Sequence, residues 1–210
     1  MNASVLETVL LPGSMVVMPN GVWPIDVHNL EYSETLLNRW ADEQFVALAI
    51  PDDTNSLLPV RHVVLCEIRG GIGDKGKLAL SLVGVARAVV TQLGVRGADG
   101  LLRATVTLLK DKLEDQPVSG DTKLLVSIER LVKSCHERLG EPWSKLCSDG
   151  QDVAHWLSDR LLELLPVESL PLDKLLAEND PLERLRCAIS VLDEGQLVGD
   201  RELSLIARDL

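Results

Sequence analysis

Near residue 115 the apolar residues of this chain change their spacing, and that change limits the folds open to it. Before it, short β-rich runs are punctuated by Gly, Pro, Asn and Asp. Val5 to Leu11 predicts a strand, ended by Pro12-Gly13, and Met15 to Met18 a second, ended by Pro19-Asn20-Gly21. Val22 to Val27 predicts a third, with Pro24 marking an edge or a bulge. Phe45 to Ile50 and Leu101 to Leu109 add two more. Pro59 to Ile68 and Leu78 to Val90 flank a Gly-rich turn and predict a long hairpin. One helix interrupts the set, beginning near Leu30 with Asn29 as its cap and Leu36, Leu37 and Trp40 on one face.

After residue 119 the spacing becomes helical. Ser119 or Asp121 can cap a helix bearing Leu124, Leu125, Ile128, Leu131, Val132 and Cys135, which Gly140 ends. Asp149 opens another, with Val153, Trp156, Leu157, Leu161, Leu164 and Leu165, and Pro166 stops it. Leu172 to Ala177 predicts a short helix. Asp180 then caps a last one, with Pro181 in its first position and Leu182, Leu185, Ile189 and Leu192 on one face, up to Gly195. The expectation is two parts, a β-rich 1–115 and an all-α 116–210, joined by a polar linker around Asp111 to Gly120.

Charge removes several functions. The 210 residues hold 21 Lys and Arg against 32 Asp and Glu, a formal net charge of −11. Such a chain repels nucleic acid unless its basic residues are segregated, and the densest basic stretch, Arg61 to Arg87, is interleaved with Glu67 and Asp74. Four Trp, one Tyr and one Phe make no base-stacking platform. No apolar run reaches the ~18 residues of a membrane span, and the first residues lack a basic signal region. Four Cys are too few for a disulfide scaffold; Cys66 and Cys187 lie in apolar segments and read as buried thiols, which fits a cytoplasmic protein.

No short motif carries catalysis. Gly71-Ile72-Gly73-Asp74-Lys75-Gly76-Lys77 has the spacing of a phosphate loop, but Leu78 stands where a metal-binding Ser or Thr belongs. The alternation that follows predicts a strand where phosphate binding needs a helix N-terminus. A hairpin turn is the simpler account. Cys135, His136, Cys147 and His155 match no zinc spacing. Asp52-Asp53, Glu31, Glu34, His28 and His62 fit turns, a helix first turn and ordinary strand or surface positions. The expectation is a chain that is not an enzyme and uses no cofactor or metal.

The order of elements is more informative. Leu11-Pro12, Met15 to Pro19 and Trp23-Pro24-Ile25-Asp26-Val27 resemble the start of the Lon protease N-terminal domain. Tyr32 to Trp40, Phe45 to Pro51 and Leu58 to Ile68 fall where that family has its first helix and next strands. Val83-Gly84-Val85-Ala86-Arg87-Ala88 is similar to its Gly-x-x-Arg strand, the most specific local match. Val153 to Leu165, Leu170-Pro171-Leu172 and Lys174 to Leu185 continue the likeness, which spans about residues 5 to 193. Asn20-Gly21-Val22 and His28-Asn29 depart from the family pattern, and the ATPase and Ser–Lys protease domains of a full Lon enzyme do not follow within these residues.

The resemblance implies an α+β fold, a PUA-like twisted β-barrel of about six strands and one helix followed by an α-helical bundle. It implies a role in binding unfolded or degron-bearing polypeptide or a partner protein, with a second copy of the chain as a further partner. Met15, Met18, Val22 and Trp23 are the candidate contact residues, because Met adapts to varied partners and these residues flank a turn; packing inside the barrel is their simpler role. The alternatives are the recognition part of a full ATP-dependent Lon protease and a small-molecule binder using a cleft between the two parts.

Overall fold

The computed structural model describes residues 5–13, 16–25, 33–50, 61–72, 78–110, 126, 128–130, 132–133, 153–165 and 171–193. The chain divides into two compact units, Met1–Lys110 and Asp111–Leu210. Among the described residues, no helix is long and apolar enough to cross a membrane.

In the first unit, β1 (Val5–Pro12), β2 (Val22–Ile25), α1 (Ser33–Ala41), β3 (Val46–Ala49), β4 (His62–Ile72), β5 (Leu78–Arg96) and β6 (Leu102–Leu108) follow in order. The sheet runs β2-β5-β4-β3-β1-β6, and β6 also pairs with β5. Five strands therefore close on themselves, and β2 is an appended edge. This is the expected twisted barrel. The long β5 makes closure possible: residues 78–89 pair with β4, and Ala88 to Arg96 bend over to reach β6. Register shifts along β5, after Leu65 on its β4 side and at Val90/Gln92 and Leu93/Arg96 on its β6 side, supply the curvature that barrel closure demands.

The interior is filled by alternate residues from every ring strand: Leu10, Ala47 and Ala49, Val63 and Leu65, Ala88, Ala104 and Val106. Four of these eight are alanines, which suits the narrow bore of a small barrel. Pro24 lies in β2, which among the described residues pairs with β5 alone; Gly21 turns its carbonyl to Gly84 on β5, so by alternation Pro24 turns its nitrogen away from β5 and its missing amide costs no ladder bond. Residues 16–18 are not a strand, against expectation. Val16, Val17 and Met18 are buried, but a turn takes over the backbone: the Gly21 amide donates to the Met18 carbonyl.

Gly71 and Ile72 close β4 and Leu78 opens β5, so the element after the glycine-rich run is a strand, as the hairpin account requires. Residues 73–77, Asp52-Asp53, Asn29, Leu30, Glu31 and His28 lie outside the described residues. Glu34 sits in the first turn of α1, and His62 is the half-buried first residue of β4.

In the second unit, residues 126, 128–130 and 132–133 are helical, with Ile128 and Val132 buried. Then come α2 (Val153–Leu164), α3 (Leu172–Ala177) and α4 (Pro181–Asp193). Asp180 caps α4 as expected: its Oδ1 accepts from the Leu182 and Glu183 amides at 3.0 and 3.3 Å. Gly140 and Gly195 lie outside the described residues. Cys66 is buried, but Cys187 is only half-buried, because it falls on the flank of α4 and not on its apolar face.

Candidate functional site

Among the described residues of the first unit, large apolar side chains are exposed at Val5 on β1, at Leu93 and Val95 on β5, and at two further places. The first is the turn that leads into β2. Gly84 is the reason for its shape. A Cβ there would lie 2.1 Å from the Met18 carbonyl oxygen, so only glycine lets the Met18–Pro19 backbone cross β5 this closely. Gly84 donates its amide to the Gly21 carbonyl, and its own carbonyl accepts from Asn20. Asn20 takes a φ of 65°, a left-handed conformation Asn tolerates.

This geometry sorts the candidate residues. Met18 is wholly buried, so it offers no surface; the close approach over Gly84 carries it inward and not to the rim. Val22 is 62% exposed and Trp23 is half-buried. Met15 lies outside the described residues. The pairing skips Val85, since Leu65 is opposite Ala86 and Cys66 opposite Gly84. Bulged out in this way, Val85 is 45% exposed and adds to the apolar surface near Val22. Periodicity alone assigns Val85 to an ordinary strand position; the signal for the bulge is the adjacent mid-strand glycine.

The second place is an open groove of about 870 Å³ between the end of α1 and β4. It is built from the helix terminus outward. The Glu43 amide donates to the Trp40 carbonyl and the Gln44 amide to the Arg39 carbonyl, a Schellman ending. Glu43 holds the left-handed position of that motif at φ 55°, where glycine is usual. The chain then turns into Phe45, whose carbonyl accepts from Arg39 Nη1 at 2.9 Å and Thr8 Oγ1 at 3.0 Å. Phe45 is thereby fixed with 36% of its surface exposed.

Across the groove, β4 supplies Glu67, Ile68, Arg69 and Gly70. A Cβ on Gly70 would sit 2.4 Å from two atoms of the Trp40 indole, so the missing side chain is what seats Trp40 against the strand. Trp40, Phe45 and Ile68 give an apolar floor; Glu43 and Glu67 with Arg69 give a charged rim. Arg69 Nη2 and Glu67 Oε2 are 3.1 Å apart, an exposed pair that orients both groups more than it stabilises them. Helical spacing places Trp40 on one face of its helix and by itself carries no link to Phe45 or Gly70. The available signal was Gly70-Gly71 at the end of an apolar run.

A separate cluster braces this unit. Asp99 Oδ2 accepts from Thr35 Oγ1 at 2.7 Å and from Arg103 Nη2 at 2.9 Å, and its Oδ1 from the Leu101 amide at 3.1 Å. The Thr35 hydroxyl, with the Leu101 amide and Arg103, holds the Asp99 carboxyl below its ordinary range. Burial and the neighbouring Arg103 push Arg39 downward, while Asp99 opposes them.

In the second unit, the polar residues are structural in arrangement. Arg184, wholly buried, donates Nη2 to Asp159 Oδ1 and Ser158 Oγ, each at 3.2 Å, and Nη1 to the Glu178 carbonyl at 2.9 Å. His155 Nε2 lies 3.4 Å from Asp159 Oδ2. Ser158 donates to the His155 backbone carbonyl and not toward the imidazole, so the Ser, His and Asp do not form a nucleophilic relay. Cys135, His136 and Cys147 lie outside the described residues, among which no three His, Cys, Asp or Glu side chains group to hold a metal.

The chain matches the family model for the ATP-dependent protease La (LON) substrate-binding domain over residues 5–194. A search of curated proteins found no match. Among solved structures, it is similar to a Lon N-terminal domain protein from Xanthomonas campestris, with a TM-score of 0.64 and 24% identity over 88% of this chain and 98% of that one. It is also similar to the N-terminal domain of the Mycobacterium avium complex Lon protease, with a TM-score of 0.59 and 18% identity over 89% and 97%. These two likenesses concern the fold, in agreement with the strand order and the helices that follow. With nearly its whole length matched, this chain belongs to the Lon substrate-binding domain family.

Proposed function

We propose that this chain is a polypeptide-binding module without catalysis of its own, which takes exposed apolar segments of unfolded or damaged protein. The observation that carries this reading is the Trp40–Phe45–Ile68 groove, an apolar floor open to solvent in a member of a substrate-binding family. Val22, Trp23 and Val85 provide a second apolar surface of the same kind. The net charge of −11 supports protein over nucleic acid as the partner, and the sparse cysteines support a cytoplasmic setting.

Titration of the purified chain with a reduced, unfolded polypeptide and with its folded form tests the reading. The unfolded form binds more tightly; equal affinity for the two overturns the proposal. Phe45→Ala weakens that binding by about tenfold while the melting transition stays in place, because an exposed aromatic contributes to recognition more than to the core. Trp23→Ala, at a half-buried position, weakens binding by less and lowers stability measurably.

A further inference from the structure

We infer that the edge of β4 at Gly70 and Ile72, which no strand among the described residues pairs with, takes up one extended segment of the bound polypeptide as an added strand. This rests on the polypeptide-binding reading above and states how the segment is held. Gly84 turns both its amide and its carbonyl to β2. Cys66, opposite Gly84, therefore turns its own to β3, where it pairs with Val46. Backbone groups alternate in direction along a strand. Glu67 and Arg69 thus face β5, while Ile68, Gly70 and Ile72 face outward.

Pairing with β3 stops at Cys66, and among the described residues no strand pairs with the outward edge beyond it. Ile68 is 5% exposed and floors the groove, whereas Gly70 is open to solvent. Consecutive residues Glu67 to Gly70 all line the groove although their side chains alternate between faces. The groove therefore runs along the strand edge.

Outward amides and carbonyls spaced two residues apart are satisfied by extended backbone. A residue of the added strand opposite Gly70 shares its face, and on that face the Trp40 indole, lying where a Gly70 side chain would be, offers its apolar surface to that residue. The occupant is thus an extended segment with a large apolar side chain. Its flanks are basic, since the rim sets Glu43 and Glu67 against Arg69 in a chain of net charge −11.

The test uses a fluorescent peptide with an apolar centre and lysine flanks, and two versions N-methylated at alternate residues in opposite registers. Binding to the full chain is followed by anisotropy. One register loses affinity by about tenfold, because it removes the donors facing β4, while the other binds like the parent. Equal behaviour of the two registers overturns strand addition. Ile72→Pro, which deletes one outward amide and no ladder bond, weakens the parent peptide by a similar factor. If that variant fails to fold, the register comparison decides alone. A concentration-dependent dimer that Ile72→Pro disperses assigns the edge to a second copy and also overturns the inference. Unmodified peptide and unfolded polypeptide that both fail to bind refute the polypeptide-binding reading itself; binding without register dependence refutes only strand addition.

Discussion

The two units bury different chemistry. Among the described residues, the barrel unit buries Thr8 and Arg87 as its only polar side chains, around an interior of alanine, valine and leucine. The helical unit buries Ser158, Asp159, Arg160 and Arg184 within two helices. The difference follows from the backbone. A closed ring of strands ties its elements together through main-chain hydrogen bonds, so side chains need only fill space. Helices satisfy their backbones internally, and only side chains can hold one against another. Here α2 and α4 are joined by apolar contacts and also by the Asp159–Arg184 pair, whose guanidinium reaches the Glu178 carbonyl ahead of α4.

Breaking that pair is the strongest test of the contrast. Asp159→Ala leaves the Arg184 charge buried, and about 3–5 kcal/mol of stability is lost. Replacing Asp159 by Leu and Arg184 by Met together restores most of it, since no buried charge remains. Denaturation followed by helical circular dichroism measures both; a double variant as unstable as the single one would show that apolar contacts alone cannot join these helices.

The corresponding test in the barrel concerns backbone clearance. Gly84→Val places carbon where the Met18 carbonyl now sits and destabilises by about 1–3 kcal/mol. An unchanged denaturation midpoint would show that the turn moves freely over β5. A smaller effect comes from the α4 cap: Asp180→Ala removes the acceptor for two amides and costs about 1 kcal/mol, read as a lower midpoint.

The smallest effect distinguishes the units by pH. The Asp99 carboxyl lies below its ordinary value of 3.8 in the folded barrel, so the folded state favours its charged form. Its contribution is fully present above 3.8 and is lost as pH falls through the lowered folded value. Asp99→Asn is therefore less stable than the parent at neutral pH, and the two converge in acid. A difference that persists undiminished at low pH would remove Asp99 from the account of acid stability.

How far the residues alone reach can be judged element by element. Apolar runs bounded by turn residues locate β4, β5 and β6, but the expected strands stop at Ile68 and Val90, whereas β4 continues to Ile72 and β5 to Arg96; Asp180-Pro181 fixes the start of α4 to the residue. Gly84 announced a bulge or a close approach and proved to be both. Met15 to Met18 misled, because a buried apolar run reads alike in a strand and in a coil that a neighbouring glycine draws inward.

These local signals share one physical origin. Alternation, caps and turn residues act within a few positions of each other, so composition and spacing determine them. The remaining features join residues distant in the chain. Trp40 meets Gly70, Thr35 meets Asp99, and Asp159 meets Arg184 only after the sheet closes and the helices pack. Whether Met18 or Val22 faces solvent depends on which side of β5 the turn crosses. No local pattern encodes that choice. It is made by the close passage over Gly84, so the sequence determined the elements and the family likeness, while the tertiary structure decided which apolar residues became core and which stayed at the surface.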